Sequence, residues 1–321
     1  MKCKICGNTQ GNETYHAKET MFGFDNTFEY IQCASCGCLQ IVEIPANMAD
    51  YYPREYYSFV SEPSNYKVNA LARWFKKTRD NFAIFNRGIL GKIFFKISPN
   101  GTLSVLSPVE VSRDSRILDV GCGSGIFLHT LRELGFKHLK GIDPYLQEDI
   151  RYKNGLTIDK KGIHEQDGQW DLIMLHHAFE HIPDQLETME AIQRLLAPGG
   201  ICLIRIPIVS SYAWEHYKTN WIQLDAPRHF FLHSIDSLKL IAGKAGMEVA
   251  KINYDSDELQ FMGSEQFIKG IPLRGQKSYV IDPSISIFTN EEVTAYKKKA
   301  KELNEKKLGD QAAFYLKKKG Q

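Results

Sequence analysis

The stretch Arg116–Gly125 reads RILDVGCGSG. Apolar, extended-favouring residues run directly into glycines at 121, 123 and 125. That is the pattern of a buried strand ending in a tight turn from which a helix departs. A phosphate-cradling loop would need GxxxxGK[ST], and the Lys and Ser/Thr are missing here. A dinucleotide turn wants GxGxxG, but the spacing is GxGxG and position 126 is Ile. The glycine that would pack helix on strand beneath a pyrophosphate is therefore absent. Asp143 follows in GIDP, where a carboxylate can accept from both hydroxyls of a ribose. The turn thus asks for a nucleoside without a pyrophosphate.

The flanking sequence supplies the rest of such a sheet. Short apolar segments at 116–120, 138–142, 155–159, 171–175 and 201–206 alternate with helical periodicity near 124–135 and 185–197. A helix near 235–246, a strand near 248–254, a charged helix NEEVTAYKKKAKELNEKK and a last strand near 311–317 complete the pattern. The alternation predicts an α/β fold with a doubly wound, mostly parallel sheet. Of 321 residues, 43% are hydrophobic and 24% charged, which is enough for a normal core. No run reaches the roughly 18 apolar residues of a membrane span, and MKCKICGN is no secretory leader. The expectation is a cytoplasmic protein. A formal net charge of +2 argues against a general polyanion binder, and DNA is not expected as a partner.

Five of seven cysteines fall within the first 38 residues. CKIC and CASC form two CxxC knuckles 26 residues apart, each followed by glycine. Cys3, Cys6, Cys33 and Cys36 are the expected ligands of one structural Zn²⁺, with Cys38 and His16 as substitutes. Residues 1–50 are read as a small zinc ribbon. They carry six acidic residues against Lys2, Lys4 and Lys18, a poor balance for gripping phosphates.

Residues 51–100 are read as an aromatic loop, YYPREYYSF, and an amphipathic helical linker broken near Gly88 and Gly91. The loop is either packing or a wall for a sugar or ring. Residues 66–97 carry eight basic side chains and one acid, Asp80. This reads as a solvated face, or as peripheral contact with an anionic membrane.

ILDVGCGSGIFL, GIDP, WDLIMLHHAFEHIPD and LAPGGICLIRIP, in that order and spacing, resemble the class I S-adenosylmethionine-dependent methyltransferases over residues 101–321. With the cysteine knuckles and DAPRHFFLHS, the chain is similar to the subset with an N-terminal zinc-binding segment. That subset includes deoxysugar C-methyltransferases and methyltransferases associated with surface polysaccharides. The resemblance implies a Rossmann-like sheet of seven strands, ordered 3-2-1-4-5-7-6 with the last strand antiparallel. It implies S-adenosyl-L-methionine as cofactor, held by Asp119, Gly121, Cys122, Gly123, Gly125, Asp143, Pro144 and His176. Asp119 would orient the amino group and Asp143 the ribose. Ile163 and His164 stand where adenine contacts are made in the family.

Methyl transfer needs an aligned acceptor and, for a hydroxyl or acidic carbon, a base. His181 in FEHIPD and His229 in DAPRHFFLHS are the candidate catalytic residues, with His176, His177 and His233 nearby in sequence. Glu180 is read as shaping its loop. Arg228 would bind a substrate carboxylate or phosphate, or pair with Asp225. Trp214, Tyr217 and Trp221 would form an acceptor lid or simply pack. The expected activity is methyl transfer to a small or carrier-linked acceptor, with a glycan sugar as the implied substrate. An RNA methyltransferase that holds RNA through the ribbon is the alternative reading, then a non-catalytic zinc-stabilised scaffold, and last a dehydrogenase. The sequence leaves the oligomeric state open.

Overall fold

In the computed structural model, residues 1–52 and 69–320 are described. Most of the YYPREYYSF loop and the start of the basic segment, 66–68, lie outside them. The chain forms two compact units, both assembled from discontinuous segments. His177–Gln193 and Ile204–Lys319 join the N-terminal residues in the first. Residues 69–176 and Arg194–Leu203 fall in the second.

The second unit holds the expected nucleoside-type sheet. β4 (Arg116–Val120) lies between β5 (His138–Ile142) and β8 (Trp170–His176), parallel to both. β7 (Thr157–Asp159) continues the sheet in parallel beyond β5. The first half of β9 (Leu196–Pro207) flanks β8. Ile117, Leu118, Leu172, Ile173, Met174 and Leu175 are fully buried, as central strands covered on both faces require. Within this unit the order β7-β5-β4-β8-β9 is the expected one. An eighth strand, β6 (Ile150–Arg151), was not anticipated; it is two residues long and pairs antiparallel with β7 at the edge.

In the same unit, α1 (Ala70–Phe85) is capped by Asn69, whose side chain accepts from Ala72 N at 2.8 Å. It ends at Asn86 in the left-handed conformation, φ 52°. α2 (Ile89–Ile97) follows at once. The break therefore falls at 86–88, and Gly91 is helical, contrary to the sequence expectation. A Cβ at Gly91 would stand 2.7 Å from Phe82 Cβ and 2.9 Å from the Thr78 carbonyl. This glycine lets two helices touch; it does not end one.

In the first unit, β1 (Glu13–Lys18), β2 (Thr27–Gln32) and β3 (Leu39–Ile41) form an antiparallel sheet. Its fourth strand comes from far along the chain: β10 (Phe231–Leu232) pairs antiparallel with β3. β11 (Met247–Tyr254) and β12 (Gln311–Lys318) pair antiparallel, as expected. The charged helix, α3 (Asn290–Glu305), starts with a capping box between Thr289 and Glu292. No described helix is long and apolar enough to cross a membrane.

Candidate active site

The turn after β4 has the conformation its glycines predict. Gly121, Gly123 and Gly125 have φ of 70°, 55° and 75°. A Cβ on Gly125 would also collide with Ile158. Asp143, at the end of β5, is tied into this turn: one carboxylate oxygen accepts from Gly123 N and the other from Tyr145 N, both at 2.9 Å. Cys122 donates its backbone N–H to the Ile142 carbonyl at 3.3 Å. Burial, then the Asp119 and Asp143 charges, push its thiol well above the ordinary range, which suits a packing residue and not a nucleophile. Pro144 is exposed. The His176 ring stacks obliquely 4.8 Å from Phe127. Ile163 is buried in a short turn, and His164 beside it is exposed.

Asp119 is the anomaly of this unit. It is 3% exposed, and its Oδ1 has no hydrogen-bond partner among the described residues. Burial, reinforced by the Asp143 charge, lifts its carboxyl to about 8. A buried acid without a donor is costly to leave so, and an arriving cationic group would satisfy it.

The first unit carries two clusters. In the first, the Sγ atoms of Cys3, Cys6, Cys33 and Cys36 all lie within 4.8 Å of one another. Cys3 and Cys36 are 3.7 Å apart, and Cys6 and Cys33 3.4 Å. The contact with Cys36 draws the Cys3 thiol down to about 5 against its burial, and the same contact pushes Cys36 up. Four sulfurs so placed can hold one tetrahedral ion. Cys38 is instead buried with its sulfur against the Leu39 carbonyl, and His16 is exposed on β1; neither belongs to the group. The knuckles are fixed from the far end of the chain. Ser234 Oγ donates to Cys36 O at 2.5 Å, and Lys244 Nζ to Ile5 O at 2.6 Å.

The second cluster contains both candidate catalytic histidines. Glu180, His181 and His229 each offer a donor atom within 4.8 Å of the others. Sequence reasoning missed the role of Glu180 as their centre. It is fully buried, and neither carboxylate oxygen has a hydrogen-bond partner among the described residues. His177 Nδ1 stands 3.4 Å from its Oε1, and His229 Nε2 3.9 Å. Burial raises the Glu180 carboxyl, but the His177 contact and the nearby His181 and His229 outweigh it and hold it down to about 2. Burial and the neighbouring His181 lower His229 to about 4, against the opposing pull of Asp225 and Glu180. The signal in the sequence was a glutamate among three histidines in HHAFEH, on a segment too apolar to be a surface loop.

Backbone contacts hold the cluster in place. His229 Nδ1 meets the Gln223 carbonyl at 2.7 Å, and His181 Nδ1 the Arg228 carbonyl at 2.8 Å and the Tyr52 hydroxyl at 3.1 Å. Phe230 N donates to Glu180 O at 2.8 Å, and Tyr30 OH to His229 O at 2.9 Å.

Arg228 is not available to a substrate. It is wholly buried, donating to Asp225 at 2.6 Å, to Glu19 at 2.7 Å and to the Tyr51 carbonyl at 3.3 Å. His233 is likewise structural, bonded to Ser237 Oγ and Gln185 Oε1 at 2.9 and 2.8 Å. The aromatic candidates are packing residues. Trp214 Nε1 donates to Gln32, Trp221 Nε1 to Asp310 and Tyr217 OH to Glu265, and all three rings are buried.

Among known proteins, the chain is 31% identical over 103 residues to a ubiquinone biosynthesis O-methyltransferase of Psychrobacter cryohalolentis, covering 28% of this chain and 39% of that protein. It is 29% identical over 124 residues to the protein of the same name from Xanthomonas oryzae pv. oryzae, covering 32% and 50%. The chain thus spans at most half the length of these curated relatives. Among solved structures, an S-adenosylmethionine-dependent methyltransferase from Archaeoglobus fulgidus is 19% identical, with a TM-score of 0.39, over 64% of this chain and 86% of that one. Residues 71–252, more than half of the chain and including the glycine turn, Asp143 and the Glu180 cluster, match the family described as a methyltransferase domain, and the chain belongs to that family.

Proposed function

We propose that this chain transfers a methyl group from S-adenosyl-L-methionine to an oxygen of a small or carrier-linked acceptor. The observation that carries this reading is the pairing of a glycine turn braced by Asp143 with a buried, partnerless Asp119 oxygen. Asp143 would hold the ribose hydroxyls, and Asp119 would receive the cofactor's ammonium group. The cofactor supplies a methyl group activated by a sulfonium. This chain's task is to bind, orient and exclude water. Gly121, Cys122, Gly123 and Gly125 let the backbone approach the methionine end, while Pro144 and His176 flank the same site. His181 and His229, gathered in one cluster of the first unit, would engage the acceptor.

Oxygen as the acceptor atom is supported by the names of the relatives, which are O-methyltransferases. A sugar acceptor is supported by the resemblance of the cysteine knuckles and DAPRHFFLHS to sugar-acting methyltransferases. One Zn²⁺ held by Cys3, Cys6, Cys33 and Cys36 would be structural, since four thiolates leave no open position.

The test is native mass spectrometry and calorimetry with S-adenosylhomocysteine and, separately, NAD. One zinc and one S-adenosylhomocysteine per chain are expected, with no NAD. Binding of NAD alone would replace this reading with a dehydrogenase. Labelled methyl transfer into sugar and phenol acceptors then separates the two acceptor classes.

A further inference from the structure

Around His229 Nε2 the described residues bring together proton acceptors with too few donors. A carbonyl can only accept, so the contact with Gln223 O assigns the hydrogen of His229 to Nδ1. The Nε2 lone pair then faces Glu180 Oε1 at 3.9 Å and Asp225 Oδ2 at 3.8 Å. His181 is arranged in the same way, with Nδ1–H on the Arg228 carbonyl and its Nε2 left as the donor nitrogen. Both Glu180 oxygens are buried without a hydrogen bond among the described residues. His177 Nε2 accepts from Arg205 Nη1 at 2.8 Å, so its Nδ1–H faces Glu180 Oε1 at 3.4 Å. Asp225 is already engaged by Arg228.

We propose that Glu180, His181 and His229 bind a divalent cation whose open positions take an oxygen of the methyl acceptor. Two imidazoles and one carboxylate suit a borderline to hard divalent ion such as Mn²⁺, Fe²⁺, Co²⁺ or Zn²⁺. Bonds of about 2.1 Å draw donors to within roughly 4 Å of one another, so small rotations close a set whose donor atoms lie within 4.8 Å. The backbone carbonyls on both Nδ1–H groups are the outer partners that fix a ligating imidazole's tautomer and direction. Three protein donors leave positions open, unlike the four-sulfur cluster.

This inference rests on the methyl-transfer reading for its acceptor. A cation here lowers the pKa of a bound hydroxyl. The oxygen–methyl bond forms as the methyl–sulfur bond breaks, the hydroxyl proton passes to solvent, and neutral S-adenosylhomocysteine is released. Acceptors with two adjacent oxygens, as in a vicinal diol or catechol, would fit two open positions.

The test is titration of the full-length, zinc-loaded chain with Mn²⁺, followed by electron paramagnetic resonance, and with Co²⁺, followed by its visible bands. Mn²⁺ is too hard to displace zinc from thiolates, and the filled cysteine cluster leaves Co²⁺ the second site. One further cation per chain is expected. Its affinity should fall at least about tenfold in Glu180→Gln and in His229→Gln. Zinc content and S-adenosylhomocysteine affinity, measured on the same samples, should stay unchanged and report that the variants are folded. If Glu180→Gln does not fold, His181→Gln takes its place. Absence of saturable Mn²⁺ and Co²⁺ binding in the wild-type chain, or binding undiminished in the folded variants, overturns the inference. Cation binding without S-adenosylhomocysteine binding would instead retain the metal site and remove the methyl-transfer reading.

Discussion

Arg228 and Glu19 are 209 residues apart in sequence and 2.7 Å apart in the fold, both side chains fully buried. The attraction of Asp225 and Glu19 outweighs the burial that opposes a charged guanidinium, so Arg228 stays protonated. Glu19 meanwhile caps the N–H groups of Met21, Phe22, Gly23 and Phe24 at 2.9–3.1 Å. Removing one partner strands the other charge in the interior. Arg228→Ala is expected to cost about 3–5 kcal/mol, read as the denaturant midpoint. A change within a few tenths would return Arg228 to the list of substrate ligands.

Asp143 accepts from Gly123 N and is assigned to the ribose. Charge-assisted hydrogen bonds contribute roughly 1.5–3 kcal/mol, so Asp143→Ala should weaken S-adenosylhomocysteine binding some tens of fold in calorimetry. Unchanged affinity would remove the ribose assignment.

Asp119 gives the pH signature. Its carboxyl stands at about 8 in the free protein, while a bound ammonium favours the carboxylate. Binding below that pH therefore releases a proton. Affinity should rise with pH, by at most about tenfold per unit, and level off above about 8. Calorimetry in buffers of different ionisation enthalpy measures the proton released, and Asp119→Asn should abolish it. Because the folded-state value is raised, the free protein's contribution from this group is present at low pH. It is lost as pH rises between about 4 and about 8. The same variant should flatten that part of the stability profile.

Zinc removal should be visible through one tryptophan. Trp214 donates to Gln32 at 3.1 Å and packs edge-on against Tyr15 at 5.0 Å, so it touches β1 and β2 directly. A chelator strong enough to strip the cysteine cluster should change tryptophan fluorescence, and Trp214→Phe should remove most of the change. A response that survives in this variant would place the metal's effect elsewhere.

What the sequence made legible was local. ILDV is buried, and GCGSG turns as its glycines require. The two CxxC knuckles converge because each is a self-contained turn. What stayed hidden depends on returns of the chain. Arg228 looked available because Glu19 is remote in sequence, and Glu180 looked like a loop residue because His229 comes 49 positions later. Gly91 reads as a breaker until Phe82 of the preceding helix is placed against it. β6 has two residues and no periodicity to betray it.

The fourth strand of the N-terminal sheet, Phe231–Leu232, follows His229 by two residues, and Tyr30 of β2 holds the His229 carbonyl. The cysteine knuckles and the histidine segment are thus one heritable piece. A chimera that exchanged residues 1–52 alone with a relative would leave β10 without its native partner β3 and the His229 carbonyl without Tyr30. Exchange of one segment has to carry the other with it, and their sequences should drift in step.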